Sequence, residues 1–148
     1  MQTLTYETRI NAHATAVWKT LTDQEQYRQW VKAFSADSYF DGEWAQGTHI
    51  KFLDPNMGGT RAIIESLEPD NHILVRHVSL ISKEGKESTT GEMADKWIGT
   101  TEDYRLTENE NTTLLKITIV THADFVQMFE DCWPRALETI KALSEQAC

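Results

Sequence analysis

Only two cysteines occur in 148 residues, Cys132 and Cys148. That excludes a disulfide framework and a cysteine-ligated metal cluster, and it fits a reducing cytoplasm. Cys132 falls on an apolar helical stripe and reads as a small core residue. Cys148 is the last residue and reads as mobile, and no disulfide between the two is expected. Basic side chains are also scarce: 14 Lys and Arg stand against 23 Asp and Glu, a formal net charge of −9 at pH 7. Nucleic acid and anionic membranes need a basic face, so neither is expected as a partner. The acids are scattered rather than in runs, as on a solvated surface. No apolar run approaches the length of a transmembrane helix. The opening Met1-Gln2-Thr3-Leu4-Thr5-Tyr6 alternates like a strand and does not read as a signal peptide.

The familiar punctuation of catalysis is missing too. The chain has no Gly-rich phosphate loop, no nucleophile elbow, no Cys-x-x-Cys and no His-Glu-x-x-His. Its five histidines, at 13, 49, 72, 77 and 122, never pair at ligand spacing within one helix. No metal and no cofactor are expected.

What is present is 40% hydrophobic, which is neither a disordered nor a membrane composition. The length suits one domain, residues 1–148, with a core of its own. The chain is organised around its last helix. From Asp124, the residues Phe125, Met128, Phe129, Cys132, Trp133, Ala136, Leu137, Ile140 and Leu143 recur at helical spacing. Asp124 with Gln127 predicts the cap. The first half of this stripe is aromatic and Met-rich, bulkier than close packing needs, so it is a candidate cavity wall. The second half is small and aliphatic and suits packing on a sheet. Pro134 removes a helical hydrogen bond and predicts a kink beside Trp133.

Most of the remaining chain reads as strand. Gln2–Ile10 alternates, with Leu4, Tyr6, Thr8 and Ile10 on one face. Two short helices follow. One carries Ala14, Val17, Trp18 and Leu21, with a weak N-terminal signal and His13 exposed at its start. The other is opened by Asp23 with Gln26 three residues on, and carries Tyr27, Trp30, Val31 and Phe34 inward. Strands are then expected over 37–40, 48–53, 60–67, 73–81, 100–107 and 113–121. The run from Asp54 to Gly59 is a loop with Met57 at its tip, and 83–96 reads as a long polar loop closed by Trp97. On strand 100–107 the pattern puts Glu102, Tyr104 and Leu106 on one face; on 113–121 Leu115, Ile117 and Ile119 form the inner row. Strand, two helices, a run of antiparallel strands and one long helix make an α+β chain.

That order resembles the START-like (SRPBCC) proteins, in the branch related to the C-terminal domain of the activator of Hsp90 ATPase. The resemblance rests on the stretch Ile10–Thr22 with its Val17-Trp18 pair, on Trp30, on the Gly47 turn, on Glu68-Pro69 before a strand, and on Trp133 followed by Leu137. His13 stands where members often carry proline. The resemblance spans essentially the whole chain. It implies a helix-grip fold: a curved antiparallel sheet wrapped around the long C-terminal helix, with a cavity between them. It implies no co-chaperone role, because 148 residues leave no room for the activator's separate N-terminal domain.

Fold alone does not give function. The expected function is binding of a small hydrophobic or aromatic ligand in that cavity, by Trp30, Phe52, His77, Trp97, Glu102, Tyr104, Phe125, Met128, Phe129 and Trp133. Trp30 and Trp97 also read as core plug and loop anchor, and His77 as a satisfied strand residue. Face parity allows His77 and Glu102 to approach across the sheet, and a carboxyl buried among apolar groups can serve as acid or base. The alternatives are a cyclase or aromatase acting on a polyketide-like substrate through Glu102, Tyr104 or His77, and an Hsp90-activator-like interaction module. The remaining expectations are a cytoplasmic location and a possible homodimer.

Overall fold

The computed structural model describes residues 1–146, so Cys148 lies outside the described residues. The strands are β1 (Gln2–Ile10), β2 (Tyr39–Asp41), β3 (His49–Asp54), β4 (Gly58–Glu68), β5 (His72–Ile81), β6 (Glu87–Ser88), β7 (Thr101–Asn109) and β8 (Thr112–Thr121). The helices are α1 (Ala14–Thr22), α2 (Gln24–Trp30), α3 (Glu92–Trp97) and α4 (Val126–Gln146). All pairings are antiparallel, in the order β1-β8-β7-β5-β4-β3-β2, with β6 added beside β5. The sheet curves around α4, an α+β helix-grip architecture. No helix among the described residues is long and apolar enough to cross a membrane.

The period-2 pattern fixes which face of each strand is inside. Leu115, Ile117 and Ile119 of β8 are fully buried, beside Tyr104 and Leu106 of β7 and Ile73 and Val75 of β5. From the other side Phe129, Trp133, Ala136, Leu137 and Ile140 of α4 close this core. Burying a side chain of this size is worth about 1.5–3 kcal/mol, so the wide stripe on α4 holds the sheet in its curve.

Several boundaries differ from the sequence reading. The long helix begins at Val126, after a 3₁₀ turn over Ala123–Phe125. Its expected Asp124–Gln127 cap does not form. His122 Nδ1 accepts the Asp124 N–H (3.0 Å), and the Asp124 carboxylate goes to Lys96 Nζ (2.6 Å). A cation from a distant helix outcompetes the local cap. Toward the other end, Ser144 is fully buried on the stripe, whereas Leu143 is only partly covered. The Ser144 hydroxyl meets Thr20 Oγ1 of α1 at 2.9 Å, which makes a polar position fit inside. Pro134 lies within α4 on its exposed face.

The two short helices show a local and a remote solution to the same problem. Asp23 caps α2 as its sequence predicts, accepting the Gln26 N–H. The weak start of α1 is completed from elsewhere: Glu108, on the β7–β8 hairpin, accepts the Ala14 N–H at 2.6 Å.

The expected polar loop over 83–96 is structured in part. Ser88 and Glu87 pair with Leu80 and Ile81, and α3 follows. β7 pairs with β5 only over His72–Arg76, while β6 pairs with it only at Leu80–Ile81. Between them, past His77, whose N–H still donates to the Thr100 carbonyl and whose carbonyl accepts the Gly99 N–H, the sheet splits, and α3 lies beside the gap with Trp97 at its end.

Candidate functional site

Between the sheet and the first turns of α4 lies a cavity of about 340 Å³. Its walls come from several elements: Tyr27 and Trp30 of α2, Phe52 of β3, Tyr104 of β7, and Phe129 and Trp133 of α4. Met57, at the tip of the β3–β4 hairpin, is 74% exposed, and Met128 is 38% exposed; both line the cavity and mark its outer end. Two glycines let the backbone close up at this hairpin, against its own partner strand and the end of β5. Gly58 takes φ +85°, and a Cβ on Gly59 would lie 1.9 Å from the Phe52 carbonyl oxygen.

The rings form one continuous cluster. Trp133 stacks on Trp30 (5.8 Å between centroids) and meets Tyr104 edge-on (5.9 Å). Tyr27 meets Trp30 edge-on at 4.9 Å. Trp97 lies parallel to Phe129 at 6.2 Å and tilts over His77 at 4.7 Å. Such aromatic pairs add about 0.5–1.5 kcal/mol each beyond area burial.

A polar seam runs through this lining where the sheet splits. His77 is 2% exposed. Its Nε2 lies 2.7 Å from Glu102 Oε2, and its Nδ1 lies 3.0 Å from Thr60 Oγ1. Thr60 donates to the Ser79 carbonyl (2.9 Å) and accepts the Trp97 indole N–H (3.0 Å). One hydroxyl thus ties β4, β5 and α3 together. Burial, and then the charge of Glu102, push the Tyr27 and Tyr104 phenols far above the ordinary tyrosine pKa. Both therefore stay protonated and remain hydrogen-bond donors. On the far side, Asp54 is held below the usual carboxylate range, first by the Ser35 hydroxyl and then by the Asn56 backbone N–H.

Nine of the ten candidate site residues line the cavity: Trp30, Phe52, His77, Trp97, Glu102, Tyr104, Met128, Phe129 and Trp133 all contribute. Phe125 does not. It sits in the 3₁₀ turn and packs edge-on against Trp97 at 5.0 Å, one layer behind the wall. The shift of the helix start moved it off the inward face. Trp30 and Trp97 are core and wall at once: the Trp30 indole donates to the Thr20 carbonyl at 2.9 Å, inside the core. The sequence reading missed Trp44 and Thr60 as lining residues and used Tyr27 only as core. A tryptophan between two turn glycines, Gly42 and Gly47, was the available signal for Trp44. Nothing in the sequence marks Thr60, whose role is created by α3.

Comparison with known proteins places this geometry. The family model described as activator of Hsp90 ATPase homolog 1-like protein matches residues 11–145. None of the curated proteins matches the chain. Among solved structures, the Aha1 dimer from Colwellia psychrerythraea superposes with a TM-score of 0.73 at 22% identity, covering 98% of this chain and 97% of that one. A protein from Mesorhizobium loti gives a TM-score of 0.76 at 14% identity, covering 99% of both chains. DynU16, a protein in the dynemicin biosynthetic locus, gives 0.70 at 14% identity over 99% of this chain and 48% of that one. At these identities the likeness is one of fold.

Proposed function

The chain belongs to the activator of Hsp90 ATPase homolog 1-like family, and from that footing we propose that residues 1–148 act as one domain that binds a small apolar or aromatic ligand between the sheet and α4. The observation that carries this reading is the aromatic-walled cavity of about 340 Å³, within the size range of small-molecule sites. A core built only for stability closes such a space, because empty volume costs stability. Met57 and Met128 at the outer end suit an entrance, since unbranched thioether chains adapt their shape. The free, buried Cys132 is consistent with a cytoplasmic site of action. The dimeric state of the Colwellia relative makes a homodimer part of the proposal.

The test uses the protein's own chromophores. Four of its five tryptophans line the cavity: Trp30, Trp44, Trp97 and Trp133. Titration with naphthalene is expected to give saturable quenching of tryptophan fluorescence and a rise in Tm. A flat titration with an unchanged Tm counts against the proposal. The second reading, a cyclase-type enzyme, draws on the His77–Glu102 contact in the cavity wall and on the dynemicin-locus relative. Under it, small molecules extracted from the purified protein would include a substrate and its cyclised product.

A further inference from the structure

The main run of the sheet ends in two edge strands, and they are built differently. At one end β2 is only three residues, Tyr39–Asp41, and Gly42 with φ +134° follows it. A short edge strand cut off by a turn offers another chain little to pair with. At the other end β1 runs nine residues, Gln2–Ile10, beside β8 alone. It contains no Pro, Lys or Gly, and its register with β8 runs from Gln2 to Ile10 without a bulge. Apart from the charges on Glu7 and Arg9, it carries none of the devices that keep an edge strand from pairing.

Successive residues of a strand turn their N–H and C=O groups to opposite sides, which fixes the groups on the open edge. Asn109 and Thr112 close the β7–β8 turn as a bonded pair, so Thr113, Leu115, Ile117 and Ile119 turn their backbone groups to β1. Their partners Ile10, Thr8, Tyr6 and Leu4 are the bonded residues of β1, and Thr3, Thr5, Glu7 and Arg9 turn theirs outward. The Arg9 carbonyl agrees, because it accepts from Lys141 Nζ of α4 at 3.0 Å. Glu145 takes the Asn11 N–H at 2.9 Å and is itself bonded to Lys141. Two side chains of α4 thus close the edge over residues 9–11. The open stretch is residues 2–8, and its centre is Thr5.

The inner face of that stretch is incompletely covered as well. Leu4 and Tyr6 are only partly buried, whereas Ile119 and Ile117, their partners in β8, are fully buried. Unpaired backbone and half-covered apolar side chains therefore lie along the same seven residues.

We propose that residues 2–8 pair antiparallel with the same stretch of a second copy of this chain, about a two-fold axis through Thr5. This rests on the homodimer proposed above and names its surface. A two-fold contact must be self-complementary, and this register is. With Thr5 opposite the partner's Thr5, Thr3 meets the partner's Glu7 and Leu4 meets the partner's Tyr6. The outward-facing pairs exchange about six backbone hydrogen bonds. The Leu4–Tyr6 pairs cover each other's exposed apolar surface. An axis through Glu7 is disfavoured, because it sets two carboxylates face to face and runs into Lys141. About seven residues a side is fewer than the roughly 20–30 of a standard interface, so the dimer is expected to be weak and concentration-dependent.

Sedimentation velocity across the micromolar range tests it. The wild-type mass is expected to rise with concentration, from that of one chain toward that of two. Thr5→Pro removes an outward N–H and no bond to β8, so it is expected to stay folded and monomeric. Should that variant unfold, Thr5→Lys replaces it: the side chain is exposed, and like charges then meet across the axis. Oxidative cross-linking in a Cys148→Ser background reads the register. Thr5→Cys sets the two Cα atoms about 5.5 Å apart, within disulfide reach. Thr3→Cys sets them about 14 Å apart, beyond it. Cross-linking of Thr5→Cys alone supports the proposal. A dimer that survives Thr5→Lys, or equal cross-linking of the two cysteine variants, overturns this surface and leaves the homodimer standing. A wild-type chain that stays monomeric at every concentration overturns both and leaves ligand binding in the cavity untouched.

Discussion

Replacing Thr60 by Val removes one hydroxyl and almost no volume. That hydroxyl makes three contacts, to His77 Nδ1, to the Ser79 carbonyl and from the Trp97 indole. Thr60 is 9% exposed and His77 2% exposed, so water has little access to the groups left behind. Each orphaned buried group costs about 1–3 kcal/mol. The Ser79 carbonyl has a second lone pair and tolerates the loss best. The two remaining losses put Thr60→Val at about 3 kcal/mol, large for a near-isosteric change. Urea denaturation followed by tryptophan fluorescence measures it. The sharper test is a double-mutant cycle with Trp97→Phe, which removes the donor as well as the acceptor. If the hydroxyl works through this hydrogen bond, the double variant is less destabilised than the sum of the singles by about 1 kcal/mol. A cost for Thr60→Val below about 0.5 kcal/mol, or strict additivity in the cycle, would refute the view that one hydroxyl fastens α3 into the split sheet.

Two further outcomes follow from the backbone and the surface. Gly59→Ala sets a Cβ 1.9 Å from the Phe52 carbonyl oxygen, and real Cβ contacts do not fall below 3.0 Å. The β3–β4 hairpin must give way, so a loss of about 3 kcal/mol is expected. Gly85→Ala, with nothing within 4 Å but φ +86°, is expected to cost only about 1 kcal/mol. Equal Tm losses would show that close approach is not what requires Gly59. Asp124 is held below the usual carboxylate range by its hydrogen bond to Lys96, then by the Lys96 charge. Glu145 is held low by Lys141 and the Asn11 N–H. A carboxyl with a depressed folded pKa adds stability above its ordinary value, and that stability is lost as pH falls through the folded value. The urea midpoint should therefore drop between about pH 5 and pH 2. Asp124→Asn is expected to flatten part of that decline; an unchanged acid profile would show that the Lys96 pair contributes nothing.

The sequence alone determined the architecture, because periodicity is a local property. Alternation along Gln2–Ile10 and 113–121 put Leu115, Ile117 and Ile119 inside, and the broad stripe on the last helix specified what the sheet had to cover. Parity also put Glu102 and Tyr104 on one face of β7 and allowed Glu102 to meet His77, which it does across 2.7 Å. Tertiary structure decided the rest, since those features depend on partners far apart in the chain. Lys96 draws Asp124 away from its expected cap, the helix starts later, and Phe125 leaves the wall. Residues 92–97 are too short and polar to announce a helix, yet α3 forms where β5 loses one neighbour before gaining another. Thr60 carries no signal of its own. Its hydroxyl acquires meaning only once β4, β5 and α3 bring an imidazole, a carbonyl and an indole within hydrogen-bonding distance of it.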